Sequence, residues 1–271
     1  MKHHVPTRDN DLAGDVDQPA PFDVCPRRVA LVAVDWCAAT KKNTARTNYE
    51  YGFDPFLADI ALAADEEGCD TIVYALWSHD VRTMGPLCQD LVFGATIRVK
   101  TVFLEVSDIR EEFYVEVWRK GLETPHRFRQ QFSKSKDILA MKQAFMDGLA
   151  ARNFKSILFL TCGEANIIQT HRDSSDITDR FRFMNWLAAN DPKVIMNPSH
   201  DYMTRPEMKA KRALYSRNGR VVLSVWNRGN KLKEGALPWQ AFVNGIEVTD
   251  QIREVHFLKT KEVRIGVFDI C

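Results

Sequence analysis

A chain of 271 residues with 45% hydrophobic side chains is long enough to bury a large core, and nothing in it calls for two domains. Its 37 basic and 36 acidic side chains nearly cancel, which leaves no overall field to draw it onto nucleic acid or an anionic membrane. The 6 cysteines, at positions 25, 37, 69, 88, 162 and 271, form no CxxC pair and no zinc spacing, so reduced thiols in a cytoplasmic protein are expected. No run approaches the ~20 apolar residues of a membrane span, and Met1-Lys2-His3-His4 with the polar residues after it lacks the apolar stretch of a signal peptide.

Residues 1–26, rich in Asp, Pro and His, predict a flexible N-terminal arm, and residues 27–271 a single α/β domain. The apolar run Val29-Ala30-Leu31-Val32-Ala33-Val34 predicts a strand buried on both faces, ending at Asp35-Trp36. Phe56, Leu57, Ile60, Leu62 and Ala63 give Asp54–Glu67 the spacing of an amphipathic helix, with Gly68 placed for a left-handed cap. Thr71–Leu76 predicts the second strand, and the stretches 91–99, 102–106 and 113–118 further strands or strand fragments. A helix over Asp137–Arg152 leads into the strand that ends on Cys162. Beyond it come a helix over 177–189, a strand over 193–196 closed by Asn197-Pro198-Ser199-His200, a helix over 207–219 and a strand over 220–226. One or two late strands follow within 257–270, split by Thr260-Lys261-Glu262. Alternating strands and helices of this kind predict a layered α/β fold.

The residue with the most chemistry to offer is Cys162, because the apolar strand Ile157-Leu158-Phe159-Leu160-Thr161 stops on it and Gly163-Glu164 follows at once. Ligands of open α/β sheets gather at the carboxyl ends of strands, and a thiolate is a strong nucleophile. A free cysteine also packs as a small hydrophobe, so the nucleophile and core readings both stand at this point.

Three local sequences, in this order and spacing, resemble the nitrilase superfamily of carbon-nitrogen hydrolases. They are Leu158-Phe159-Leu160-Thr161-Cys162-Gly163-Glu164, Val194-Ile195-Met196-Asn197-Pro198-Ser199, and the stretch from Lys211-Arg212-Ala213 through Val221–Trp226 to Asn227-Arg228-Gly229. The resemblance implies a four-layer αββα sandwich, commonly paired into a homodimer, and a Glu–Lys–Cys site that works through a thioester or thioimidate. It makes Cys162 the nucleophile, Lys134 in Gln131-Phe132-Ser133-Lys134-Ser135 the electrophilic stabiliser, with Lys136 as the other register, and Glu164 a supporting acid. Trp77, Asn166 and Asn197 are then the expected substrate-binding side chains.

The chain departs from the family at the general base, where the pattern beginning Gly68-Cys69-Asp70 puts Leu76 in place of the glutamate. Asp80 follows four residues later, roughly 13 Å along an extended strand, and His79 and His200 are the nearest imidazoles. The expected activity is hydrolysis or acyl transfer at the carbon of a small amide or nitrile through a Cys162 thioester. Two alternatives stand beside it. One is a nitrilase-like pseudoenzyme that binds a ligand or a protein; the other, suggested by Val32-Ala33-Val34-Asp35 together with Cys162, is an isochorismatase-like cysteine hydrolase. The basic stretches at 119–120, 127–129 and 209–212 predict a solvated face and no nucleic-acid partner, and no metal cluster or phosphate loop calls for a cofactor.

Overall fold

The computed structural model describes residues 19–34, 54–76, 79–80, 88–107, 113–132, 138–170, 177–200, 203–227, 236–259 and 263–270. They form a mixed α/β fold built on two main sheets, each with three adjacent parallel strands near its middle. In the first sheet β1 (Arg28–Val34), β2 (Thr71–Tyr74) and β4 (Thr101–Ser107) run parallel, with Val29 beside Thr71 and Ile72 beside Val102. Antiparallel strands flank them: β5 (Phe113–Arg119) and β6 (His126–Phe128) on one side, β16 (Val263–Asp269) and β15 (Arg253–Val255) on the other, while the short β3 (His79–Asp80) pairs with β4. In the second sheet β8 (Ile157–Phe159), β11 (Val194–Ser199) and β12 (Val221–Trp226) run parallel, with Met196 beside Phe159 and Asn197 beside Ser224. It is bordered by β7 (Asn153–Phe154) at one edge and by β13 (Trp239–Val243) with β14 (Ile246–Glu247) at the other.

The alternation of side chains along each strand explains the continuous apolar runs. Val29, Leu31 and Ala33 join Phe103 and Val117 in a core shared with Phe159, Met196 and Leu223 of the other sheet. Phe103 stacks on Phe159 there, with ring centroids 5.1 Å apart. Ala30 and Val32 face the opposite way, onto Leu57, Ile60, Ala61 and Ala64 of α1 (Asp54–Glu66). The second sheet turns Leu158, Ile195 and Val222 toward α2 (Ile138–Asp147), α3 (Phe183–Asn190) and α4 (Pro206–Tyr215). A strand covered on both faces can be hydrophobic at every position.

Several predicted elements are redrawn. The apolar stretch 91–99 contains no strand; it begins in a π-helical turn, Cys88–Phe93, and passes into loop. The helix expected from 137 ends at Asp147 and gives way after Gly148 to a 3-10 turn, Leu149–Arg152. The helix expected from 177 starts only at Phe183, because the Asp179 carboxylate accepts the Phe183 and Met184 amides, each at 2.8 Å, and Ile177–Thr178 is β10, paired with β9 (Gln169–Thr170). Asn197-Pro198-Ser199 is not a closing turn but the last half of β11.

At Gly266 of β16 the packing leaves no room for a side chain. A Cβ built there would lie 2.7 Å from Ile252 Cγ2 and 2.9 Å from the indole of Trp239, which is itself stacked under the Arg264 guanidinium. Gly266→Ala is therefore expected to destabilise the fold by ~1–3 kcal/mol, the usual range for overpacking, read as a lower urea midpoint at unchanged slope.

Candidate active site

The parallel strands of both sheets point their carboxyl ends to the same region. Leu76 follows β2, Glu105 lies late in β4, Cys162 follows β8, and His200 and Asn227 follow β11 and β12. Asn227 Nδ2 donates to the Leu76 carbonyl at 2.6 Å and so ties the ends of the two sheets together. Leu76, at the position where the resemblance would put a glutamate, is buried in the core between the sheets.

Cys162 opens a 3-10 turn, Cys162–Asn166, with φ at +35°, a left-handed conformation that non-glycine residues seldom adopt. Such geometry persists only where the surroundings over-determine it. Here Glu164 does so. Its buried carboxylate accepts the Thr161 amide at 2.8 Å, the Thr161 hydroxyl at 2.6 Å and the Gln131 amide at 2.6 Å, and pairs with Arg152 Nη1 at 2.5 Å. Arg152 is also buried, donates to the Arg129 carbonyl and is flanked by the rings of Phe128 and Phe145. Every oxygen of Glu164 is thus engaged in holding the turn that carries the thiol.

Asn197 and Asn166 are committed as well. Asn197 Nδ2 donates to the Leu160 carbonyl at 2.8 Å and Oδ1 accepts Arg212 Nη2 at 3.3 Å, which clamps β11 to the chain just before Cys162. Asn166 Oδ1 accepts Lys211 Nζ at 2.6 Å, and Tyr215 donates to the Ala165 carbonyl at 2.8 Å, so α4 fixes the far end of the turn. Both asparagines, expected to bind substrate, hold the frame around the thiol through these contacts. Lys134, Lys136 and Trp77 lie outside the described residues.

The group that the structure adds is an imidazole with a carboxylate behind it. His200 Nε2 lies 2.9 Å and 3.1 Å from the two oxygens of Glu105, whose side chain is 2% exposed, and the ring is hydrogen-bonded to the Cys162 side chain. Burial alone would push the imidazole down. The Glu105 charge, the hydrogen bond with Cys162, the hydrogen bond with Glu105 and the charge on Cys162 together outweigh burial and raise His200 from its ordinary 6.5 to about 10. A second cation, Arg212, feels the charge of Cys162. Arg212 is fully buried, and its hydrogen bonds go to the neutral Met203 carbonyl, Gln240 Oε1 and Asn197 Oδ1. Burial lowers it to about 10, opposed first by the charge on Cys162.

His200 stood among the imidazoles visible in the sequence, whereas Glu105 did not stand out at all. Its signal is a lone carboxylate inside the strand Thr101-Val102-Phe103-Leu104-Glu105-Val106, two residues from Phe103 and therefore on the face turned to the other sheet. A charge at such a position needs a partner.

Among the described residues no three His, Cys, Asp or Glu side chains form a group that could hold a metal ion, and no helix is long and apolar enough to cross a membrane. No family model matches the chain, and no curated protein matches it either. Among solved structures it is similar to a glutamine-dependent NAD+ synthetase from Acinetobacter baumannii in complex with ADP, with a TM-score of 0.48 and 12% identity over 90% of this chain. The chain spans 46% of the length of that synthetase. It is also similar to a mutant amidase from Nesterenkonia sp. AN1 that shows covalent addition of the acetamide moiety of fluoroacetamide at its active-site cysteine, with a TM-score of 0.45 and 12% identity over 90% of both chains.

Proposed function

We propose that the chain is a nitrilase-like αββα hydrolase or acyl transferase that acts on the carbon of a small amide or nitrile through a Cys162 thioester or thioimidate. The observation that carries this reading is the His200–Glu105 pair on the thiol, which supplies the proton-transfer group that Leu76 cannot. In attack on an amide, the sulfur adds to the carbonyl carbon beside a protonated imidazole. As the C–N bond breaks, His200 gives its proton to the leaving amine, and the acyl group stays on sulfur. Acylation caps the sulfur, so the two interactions with Cys162 that raise His200 disappear at the step where the ring must take a proton. The neutral imidazole then receives a proton from the water that attacks the thioester, and the sulfur leaves as thiolate. Glu105 orients the ring throughout, Arg212 and the Glu164–Arg152 pair position the thiol, and Lys134 is the proposed stabiliser of the oxyanion.

The test is alkylation of Cys162 by iodoacetamide across pH, followed by peptide mass spectrometry. An ordinary thiol is only about 3% thiolate at pH 7, so fast labelling of the wild type at neutral pH that drops by up to ~30-fold in His200→Asn is the expected outcome. Equal, slow labelling in both would sink the nucleophile assignment and favour a binding module built on the same scaffold.

A further inference from the structure

The opposite end of the first sheet carries a cleft of about 720 Å³, where the amino ends of β1, β2 and β4 meet. This is within the size range of small-molecule sites. Its lining includes the cations Arg27, Arg98, Lys100 and Arg119 and the carboxylates Asp23 and Asp70. Both carboxylates are taken. Asp70 accepts the Arg27 amide at 2.8 Å and the Thr71 hydroxyl at 2.9 Å, and Asp23 pairs with Lys155 at 3.0 Å. Four cations against these two carboxylates leave the lining with a surplus of positive charge. Arg98 and Arg119 spend one N–H group each on a backbone carbonyl, and neither the Arg27 guanidinium nor the Lys100 ammonium has a hydrogen bond or ion pair among the described residues.

Two of the cations, Arg98 and Arg119, are held in place before any ligand arrives. Asp65 Oδ1 accepts the amides of three consecutive residues, Ile97, Arg98 and Val99, at 3.0, 2.5 and 3.0 Å, which pins the loop that carries Arg98 and Lys100. The Arg119 guanidinium lies over the Phe22 ring and donates to the Asp23 carbonyl. Ile97, 86% exposed, gives the rim an apolar lip. Planar guanidinium groups that converge on a pocket with spare N–H donors match the oxygens of a phosphate.

We infer that this cleft binds the phosphate group of a small phosphorylated molecule, at a site separate from Cys162. The thiol lies at the carboxyl ends of the strands and the cleft at their amino ends, so the inference does not depend on the hydrolase reading. Calorimetric titration of the full chain with pyrophosphate at low ionic strength tests it, with succinate as a dianion that lacks phosphorus. Saturable one-to-one binding is expected for pyrophosphate, at least about tenfold weaker for succinate, and weakened about tenfold or more by Arg27→Ala with Lys100→Ala. Both side chains are exposed, so the double variant should keep the wild-type circular dichroism spectrum. His200→Asn should leave the titration unchanged. Absence of saturable heat at millimolar pyrophosphate, equal binding of succinate, or an unaltered curve in a folded double variant would each overturn the assignment.

Discussion

His200→Asn is expected to lower turnover of a short-chain amide or nitrile by roughly 10²–10⁴-fold, the usual contribution of a positioned acid-base group, while Cys162→Ala sets the floor. Ammonia release is the readout. Glu105→Gln should fall between the wild type and His200→Asn, because the ring would keep a hydrogen-bond partner and lose its counter-charge. The same pair fixes a pH dependence of stability. His200 is raised in the folded chain from 6.5 to about 10, so its contribution is fully present below about 6.5 and is lost as pH rises through about 10. Unfolding free energy from urea titration should therefore decline across that window in the wild type and decline less in Glu105→Gln. Retention of turnover within tenfold in His200→Asn would move the base elsewhere and refute the relay.

The second large effect concerns stability. Arg152→Ala is expected to cost ~3–5 kcal/mol, because it leaves the buried Glu164 carboxylate without its counter-ion. Replacing the pair together, with Arg152→Met and Glu164→Gln, should cost less than Arg152→Ala alone, since no uncompensated charge remains buried. Urea midpoints of the three chains check both statements. The double variant separates folding from chemistry as well. It should fold, yet label more slowly at Cys162 than the wild type, because the carboxylate that accepts the Thr161 amide and hydroxyl is gone.

What could be read beforehand follows from how local the cause is. The run Val29–Val34 and the helix at Asp54 are legible because burial on two faces and a 3.6-residue period are written in adjacent residues, and Gly68, at φ +80°, ends the helix as its position suggests. Trp239–Val243 and Ile246–Glu247, absent from the expected elements, flank Asn244-Gly245, both at positive φ and a strong hairpin signal. The turn at Asp179 is hidden for a different reason: a side chain that caps Phe183 competes with a helical pattern that begins earlier. Cys162 was visible from the end of its strand. Glu105 was not, because what gives a carboxylate in an apolar strand its meaning is His200, 95 residues away in sequence and on the other sheet. Pairings of that length leave no mark in any local window.

The placement of Glu105 has one more consequence. Phe103, on the same face of the same strand, packs on Phe159 of the second sheet, three residues before the thiol. The carboxylate therefore belongs to one half of the molecule, and the imidazole and sulfur to the other. In the reading proposed above, neither half then contains a complete set. Thiol reactivity would gauge whether the halves are joined: a change that pries them apart, even with each sheet intact, is expected to slow labelling of Cys162 before the secondary structure is lost.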